Sequence, residues 1–363
     1  MADHCAIYGR LRAPLSLTVL EGVAPGANVV LRPSEASSGW AQAEVRWPDA
    51  ALVLTSTGVG DATFEKHLAG FLARTGARLT TARHGPALLE ALSRSRSVVG
   101  VTATAGFDPE GRCREVVYQL AAHLQGVISQ GDALLDPRGR ALLSPSGGLD
   151  ADAQLPRSPS AEARRARSIE RLRRLGLALP HGVGLLEGDE ESWLREPKEV
   201  ACRAEALFAV AARAEGLPAE GARALLEAPG LWSFATPAEQ AYLVDPAPDP
   251  RESLERAWSY EGLWILLWAL GRVEVLHSPT AVCDVPRAAG LMTEVSPTAM
   301  VGQAQLRPQG ELLEEADFTH CATAAAKAQA QSPLQVDVLL ERRRAFRWLT
   351  RHWNQSWDQV ALG

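Results

Sequence analysis

Between Ser144 and Ala163 the chain reads SPSGGLDADAQLPRSPSAEA, and the residue patterning on its two sides is different. The stretch is rich in Ser, Pro, Gly and Asp and lacks an apolar period. It therefore cannot bury enough apolar surface to offset its own ordering entropy. It reads as a flexible linker over 146–163, leaving an α/β domain at 1–145 and a mainly helical domain at 164–363. A chain of 363 residues has room for both, because single cores stop growing at about 250 to 300 residues.

On the N-terminal side, short β-type runs at 15–20, 28–32, 43–47 and 51–55 are separated by Gly, Pro and Ser. Phe64, Leu68, Phe71 and Leu72 then fall at helical spacing over 61–73, with Asp61 placed to cap them. A shorter helix is expected at 86–93, a buried strand at 97–104 and a helix at 114–125. The runs 133–135 and 140–143 flank Asp136-Pro137-Arg138-Gly139, which fits a type I turn closed by a left-handed glycine and makes a hairpin. The order implies an α+β domain, a sheet with helices on one face, and a ferredoxin-like arrangement is among those it allows.

On the C-terminal side helices are expected at 161–175, 197–215, 237–244, 254–270, 312–329 and 336–353. Pro197 suits a first helical turn, and Val200, Ala204, Leu207 and Ala211 form its apolar stripe. The Pro- and Gly-punctuated stretch 278–310 reads as a long irregular loop.

Composition removes several function classes. Hydrophobic residues make up 46% and charged residues 22%, the balance of a globular chain rather than a disordered or collagen-like one. The formal net charge of -6 offers no overall basic field to gather nucleic acid or anionic lipid. Lysine occurs only at Lys66, Lys198 and Lys327, so the abundant arginine reflects a compositional bias more than phosphate binding. The five cysteines are widely spaced without a C-x-x-C, which suggests neither a disulfide framework nor a zinc knuckle. With no leader-like segment at the N-terminus and no apolar run near the roughly twenty residues of a membrane span, the cytoplasm is the expected location.

Several segments of the second half carry a family resemblance. These are Arg167-Ser168-Ile169-Glu170 with Leu175-Gly176, the run 199–211, and Ala214-Glu215-Gly216. The most specific is Trp258-Ser259-Tyr260-Glu261-Gly262-Leu263-Trp264 with Leu267-Trp268-Ala269-Leu270-Gly271. Two more follow: Glu341-Arg342-Arg343 with Ala345, Trp348 and Leu349, then Trp357-Asp358-Gln359-Val360. In order over about 165–363, they resemble the bacterial domain-of-unknown-function 4272 family. The resemblance implies a fold, a bacterial origin and a loose association with toxin and secretion neighbourhoods. The chain departs from the pattern around 317–326, where the family tends to carry an Arg and a Trp and this chain has Phe318-Thr319-His320-Cys321. A site lined by that segment is therefore different here.

Trp258, Glu261, Ile265 and Trp268 recur at spacings of three, four and three, with Trp264 beside them. A carboxylate inside such a stripe is paired or protonated, and Arg342, Arg343 or Arg344 is its natural partner. Two readings follow: a ligand-gripping acid in an aromatic pocket, or a buried ion pair that fixes helix packing. Trp348, Trp353 and Trp357, with His352 and Asp358, either stack a ligand or fold a helix end back on the core. Ser56-Thr57-Gly58-Val59-Gly60-Asp61 stands where a phosphate is bound in other folds, but lacks the third glycine of a dinucleotide fingerprint and the Lys of a P-loop. A tight turn with an Asp cap explains it. Arg164, Arg165, Arg167, Arg171, Arg173 and Arg174 surround one helix, with Glu187 to Glu191 near enough in sequence to neutralise them. No H-E-x-x-H and no G-x-S-x-G occurs. No catalytic residue, metal or cofactor is expected. The reading is a non-catalytic protein-interaction protein, immunity-like or accessory to a bacterial effector or secretion system. The alternative is an enzyme or small-ligand binder. Candidate contact residues are Trp258, Glu261, Trp264, Arg342, Arg343, Trp348, Trp357 and Asp358, the partner being another protein rather than a membrane or nucleic acid.

Overall fold

Period-two burial organises the first half of the chain. A computed structural model describes residues 4–11, 16–33, 40–80, 85–104, 111–351 and 355–360. The chain divides into two units, 1–158 and 159–363. The first contains β1 (His4–Gly9), α1 (Leu17–Val23), β2 (Asn28–Pro33), β3 (Trp40–Arg46), β4 (Ala51–Gly58), α2 (Ala62–Thr80), α3 (Gly85–Ser93), β5 (Ser97–Ala103), α4 (Arg112–His123), β6 (Val127–Gln130), β7 (Ala133–Leu135) and β8 (Ala141–Leu143). The described strands form one antiparallel sheet in the order β2-β3-β4-β5-β1-β6-β7-β8.

An α+β unit followed by a mostly helical one is thus what the chain forms, and the finer expectation of helices on one face is corrected. Cys5, Ile7, Leu52, Leu54, Val99, Val101 and Ile128 pack with Leu20 of α1 and with Cys113, Val116, Val117 and Leu120 of α4. Tyr8, Val98, Val127 and Leu134, of opposite parity, pack with Phe64, Leu68, Phe71 and Leu79 of α2 and with Leu88 and Leu92 of α3. Both faces are covered, and the strand order is not ferredoxin-like. The run expected as a strand at 15–20 becomes α1, because the Ser16 hydroxyl accepts from the Val19 amide (3.2 Å) and caps it; residue 15 lies outside the described residues. β1, the sheet's central strand, escaped the sequence reading because polar flanks hide Cys5, Ile7 and Tyr8. The 133–143 hairpin forms as expected, with Gly139 at φ 78°.

The stretch read as a linker divides at 158/159. Buried Asp136 accepts from the amides of Arg138 (2.8 Å), Arg140 (2.9 Å) and Gln154 (3.1 Å), so residues after β8 are tied to the hairpin. Arg10 donates to the Pro156 carbonyl (3.1 Å).

The second unit holds α5 (Pro159–Arg174), α6 (Pro197–Ala214), α7 (Ala219–Glu227), α8 (Pro237–Val244), α9 (Pro250–Ala257), α10 (Ser259–Ala269), α11 (Val285–Thr293), α12 (Pro297–Gly302), α13 (Gln309–Ala328) and α14 (Val336–Leu349). The helix expected over 254–270 is two helices that meet at Trp258. Helices α11 and α12 lie inside the stretch expected to be an irregular loop. Asp284 and Ser296 cap them and Pro286 and Pro297 sit in their first turns, so prolines read as breakers are helix starts. Helix α10 is buried from Tyr260 to Ala269 on every side and carries the core with α6 and α14. Among the described residues no helix is long and apolar enough to cross a membrane.

Candidate functional site

The helix junction at Trp258, the outer face of α14 and the short helical turn at Trp357–Gln359 enclose a cleft of about 600 Å³. Its lining is mostly charged. Glu239, Asp249, Glu252, Glu255, Asp337 and Glu341 contribute carboxylates, against Arg251, Arg256 and Arg344, with Trp258 and Trp357 as aromatic surface. Most of these charges are already engaged. Glu239 is ion-paired with buried Arg203, Arg256 donates to Glu252 (3.0 Å), Arg251 donates to Glu255 (3.3 Å), and Asp249 caps α9.

Glu341 is different. Its side chain has no hydrogen bond or ion pair among the described residues, yet the residue is only 9% exposed. Burial, the main cause, pushes its pKa up to about 7; the Glu261 charge pushes the same way, and Arg344 opposes both. A carboxylate left unpaired at the wall of a cleft is the kind of group that binding sites hold ready. Nearby, two guanidiniums lie over the Trp357 ring, Arg203 at 4.7 Å and Arg344 at 4.9 Å from its centroid. Arg344 also donates to the Trp357 carbonyl (3.3 Å), and burial lowers its pKa. The aromatic wall is thereby fixed before anything binds.

Of the residues singled out in the sequence, Trp258 and Trp357 line this cleft. Glu261 and Arg342 face elsewhere and meet each other: Arg342 Nε donates to Glu261 Oε2 (3.1 Å), the Cys283 amide donates to Oε1, and Arg342 Nη1 donates to the His277 carbonyl (2.7 Å). Both are buried. This pair clamps α10, α14 and the 277–283 connection. Trp264 is buried in the core and edges a separate cavity of about 490 Å³. Trp348 is buried, edge-on to Trp357 (5.8 Å) and beneath Arg195. Arg343 is half-buried on α14, its pKa lowered to about 10 by burial and by Arg347. Asp358 is exposed. His352 and Trp353 lie outside the described residues.

Glu341 was missed as a site residue, and Arg344 was named only as an alternative partner for Glu261, although the signal that singled out Glu261 was present around Glu341. Val338, Glu341, Ala345 and Trp348 recur at spacings of three, four and three, a carboxylate inside an apolar stripe. Glu205 on α6 repeats the pattern: buried, with Oε1 unsatisfied and its pKa pushed to about 7 by desolvation.

The other sequence features resolve into packing. Asp61 Oδ1 accepts from the Thr63 amide (2.7 Å) and Oδ2 from the Thr57 hydroxyl (2.9 Å), which makes the 56–61 segment a capped turn. Half of the α5 arginines are spent on α13, and Arg173 and Arg174 pair with Glu170 of their own helix. Arg165 meets buried Asp317 (3.1 Å), Arg167 meets Glu314 (2.7 Å) and Arg171 meets Glu315 (2.7 Å), while Arg164 reaches Asp189 of the 187–191 run (2.5 Å). In the 317–326 segment His320 lies 3.2 Å from the Gly184 carbonyl, its pKa pushed down to about 4 by burial and then by Arg165 and Arg343. Among the described residues no group of three His, Cys, Asp or Glu gathers to hold a metal ion.

Residues 164–360 match the family model described as Domain of unknown function (DUF4272). The chain belongs to that family. The DUF4272 match covers nearly the whole helical unit, cleft included. No curated protein and no solved structure matches the chain.

Proposed function

We propose that the helical unit is a non-catalytic recognition module whose acidic, tryptophan-walled cleft takes up a cationic group from a protein partner. The observation that carries this reading is Glu341, a nearly buried carboxylate with no hydrogen bond or ion pair among the described residues, on the wall of this cleft and facing the same space as Trp258. An incoming guanidinium or ammonium supplies the direct ion-pair partner that Glu341 lacks and finds an aromatic face to lie on. Further carboxylates at the mouth favour positive charge and repel negative charge. Its concrete form is a cytoplasmic bacterial protein that is immunity-like or accessory to an effector or secretion system, whose partner presents a basic segment.

A second reading rests on the cleft's volume. About 600 Å³ lies within the range of small-molecule sites, roughly 300 to 1,000 Å³, so a free organic cation fits the same chemistry. Purification of the tagged chain from its host, beside Trp258→Ala and Glu341→Gln, separates the two. A near-stoichiometric protein lost from both variants supports the first reading. A small cation released from the wild type alone, detected by native mass spectrometry, supports the second. A protein partner retained equally by both variants removes the cleft from the interaction.

A further inference from the structure

The first unit has its own cleft, on the sheet face covered by α2. The burying face of α2 begins apolar with Phe64, Leu68 and Phe71. One turn later the same face carries Arg74, Thr75 and Arg78. Beneath it, residues of one parity, His4, Ala6 and Tyr8 of β1 and Ser129 of β6, complete a concavity of about 430 Å³. A helix packed on a sheet ordinarily fills that space with apolar side chains. Here His67, Arg74, Thr75, Arg78 and Ser129 share it with Ala6, Phe71 and Leu134.

The donors converge without an acid to match them. Tyr8, buried and stacked on Phe71 at 4.0 Å, has its hydroxyl 3.0 Å from His67 Nε2. Thr75 is only 7% exposed, and its hydroxyl has no hydrogen-bond partner among the described residues. The exposed Arg74 guanidinium likewise has no hydrogen bond or ion pair there, and its charge reaches Tyr8, opposing the rise in the phenol's pKa that burial causes. Arg78 is held in place by donating to the Asp132 carbonyl (2.8 Å) and the Ser144 carbonyl (3.1 Å). His4 Nδ1 lies 3.0 Å from the Thr102 hydroxyl. The single carboxylate in the lining, Asp132, is 84% exposed and leans toward Arg78 (3.9 Å).

We infer that this cleft binds the phosphate group of a small phosphorylated ligand, gripped by Arg74 and by the hydroxyls of Thr75 and Tyr8, with Tyr8 and Phe71 as the floor for the group that carries it. A phosphate presents several acceptor oxygens and a charge near -2, which matches a fixed set of donors and an unpaired guanidinium. The site is independent of the acidic cleft in the helical unit and has the opposite charge preference.

The test is calorimetric titration of the full-length chain with inorganic phosphate, ribose 5-phosphate and AMP, beside Arg74→Ala, Tyr8→Phe and, as a control, Arg114→Ala on the exposed surface of α4. Arg74 and Arg114 are both exposed, so neither substitution threatens folding. Saturable binding of at least one probe is expected, weakened about tenfold or more by Arg74→Ala, several-fold by Tyr8→Phe and not at all by Arg114→Ala. Binding of phosphate itself as tightly as the esters identifies the free ion as the ligand. A preference for the esters identifies an organic phosphate. Absence of binding by all three probes at millimolar concentration, or binding that Arg74→Ala leaves unchanged, overturns the inference.

Discussion

Replacing Glu341 with Gln is expected to stabilise the protein at pH 8. Burial holds this carboxyl at about 7 against an ordinary 4.5. The folded chain therefore binds the proton more tightly than the unfolded one, and stability falls as pH rises from about 4.5 to 7 and is flat above that window with respect to this group. At roughly 1.4 kcal/mol per tenfold change, the cost of ionising Glu341 in the fold is about 3 kcal/mol at pH 8. Gln keeps the shape and cannot ionise. Urea denaturation of the wild type and variant at pH 8 and pH 5 reads the effect directly. The variant's advantage should be about 3 kcal/mol at pH 8 and under about 1 kcal/mol at pH 5. Taking the difference between the two pH values cancels any packing penalty from the amide. An equal effect at both pH values would refute the claim that Glu341 is buried without a hydrogen-bonded or ion-paired partner.

Glu261→Gln should act in the opposite direction, lowering stability by about 1 to 4 kcal/mol, because Arg342 and the Cys283 amide lose a charged acceptor; an unchanged melting temperature would contradict the clamp. Because the Glu261 charge also helps to raise Glu341, the same variant should lower the pH at which Glu341 titrates, as followed by carboxyl NMR. Gly262→Ala should lower stability by up to about 2 kcal/mol in thermal melts, since an added methyl meets the Trp357 ring at 3.2 Å within a filled core and this overpacking outweighs the roughly 1 kcal/mol that Ala gains over Gly in a helix.

The legible parts of the fold were those written in local periodicity. Helices α6, α8 and α14 and the Asp136–Gly139 turn lie within a few residues of where the sequence puts them. β1 was illegible because a central strand depends on partners nearly 90 residues or more away, such as Val99 and Ile128, and only the closed sheet buries Ile7. α11 and α12 were hidden because proline at a first helical turn and proline as a breaker look alike in sequence. The Glu261–Arg342 pair was legible as a carboxylate in an apolar stripe with arginines on a later helix. The cleft beside it was not, because it is made by the turn at Trp258 and by Trp357 folding back onto Arg203 and Arg344. No local pattern encodes that meeting.

Titration of a tetra-arginine peptide into the full-length chain at pH 8, followed by tryptophan fluorescence, probes the acidic cleft most directly. Saturable binding is expected that is lost in Trp258→Ala, weakened about tenfold or more in Glu341→Gln, and weaker at pH 6, where Glu341 holds its proton. Binding of equal strength in the wild type and both variants, or no saturable change at all, would contradict a cation-recognising cleft.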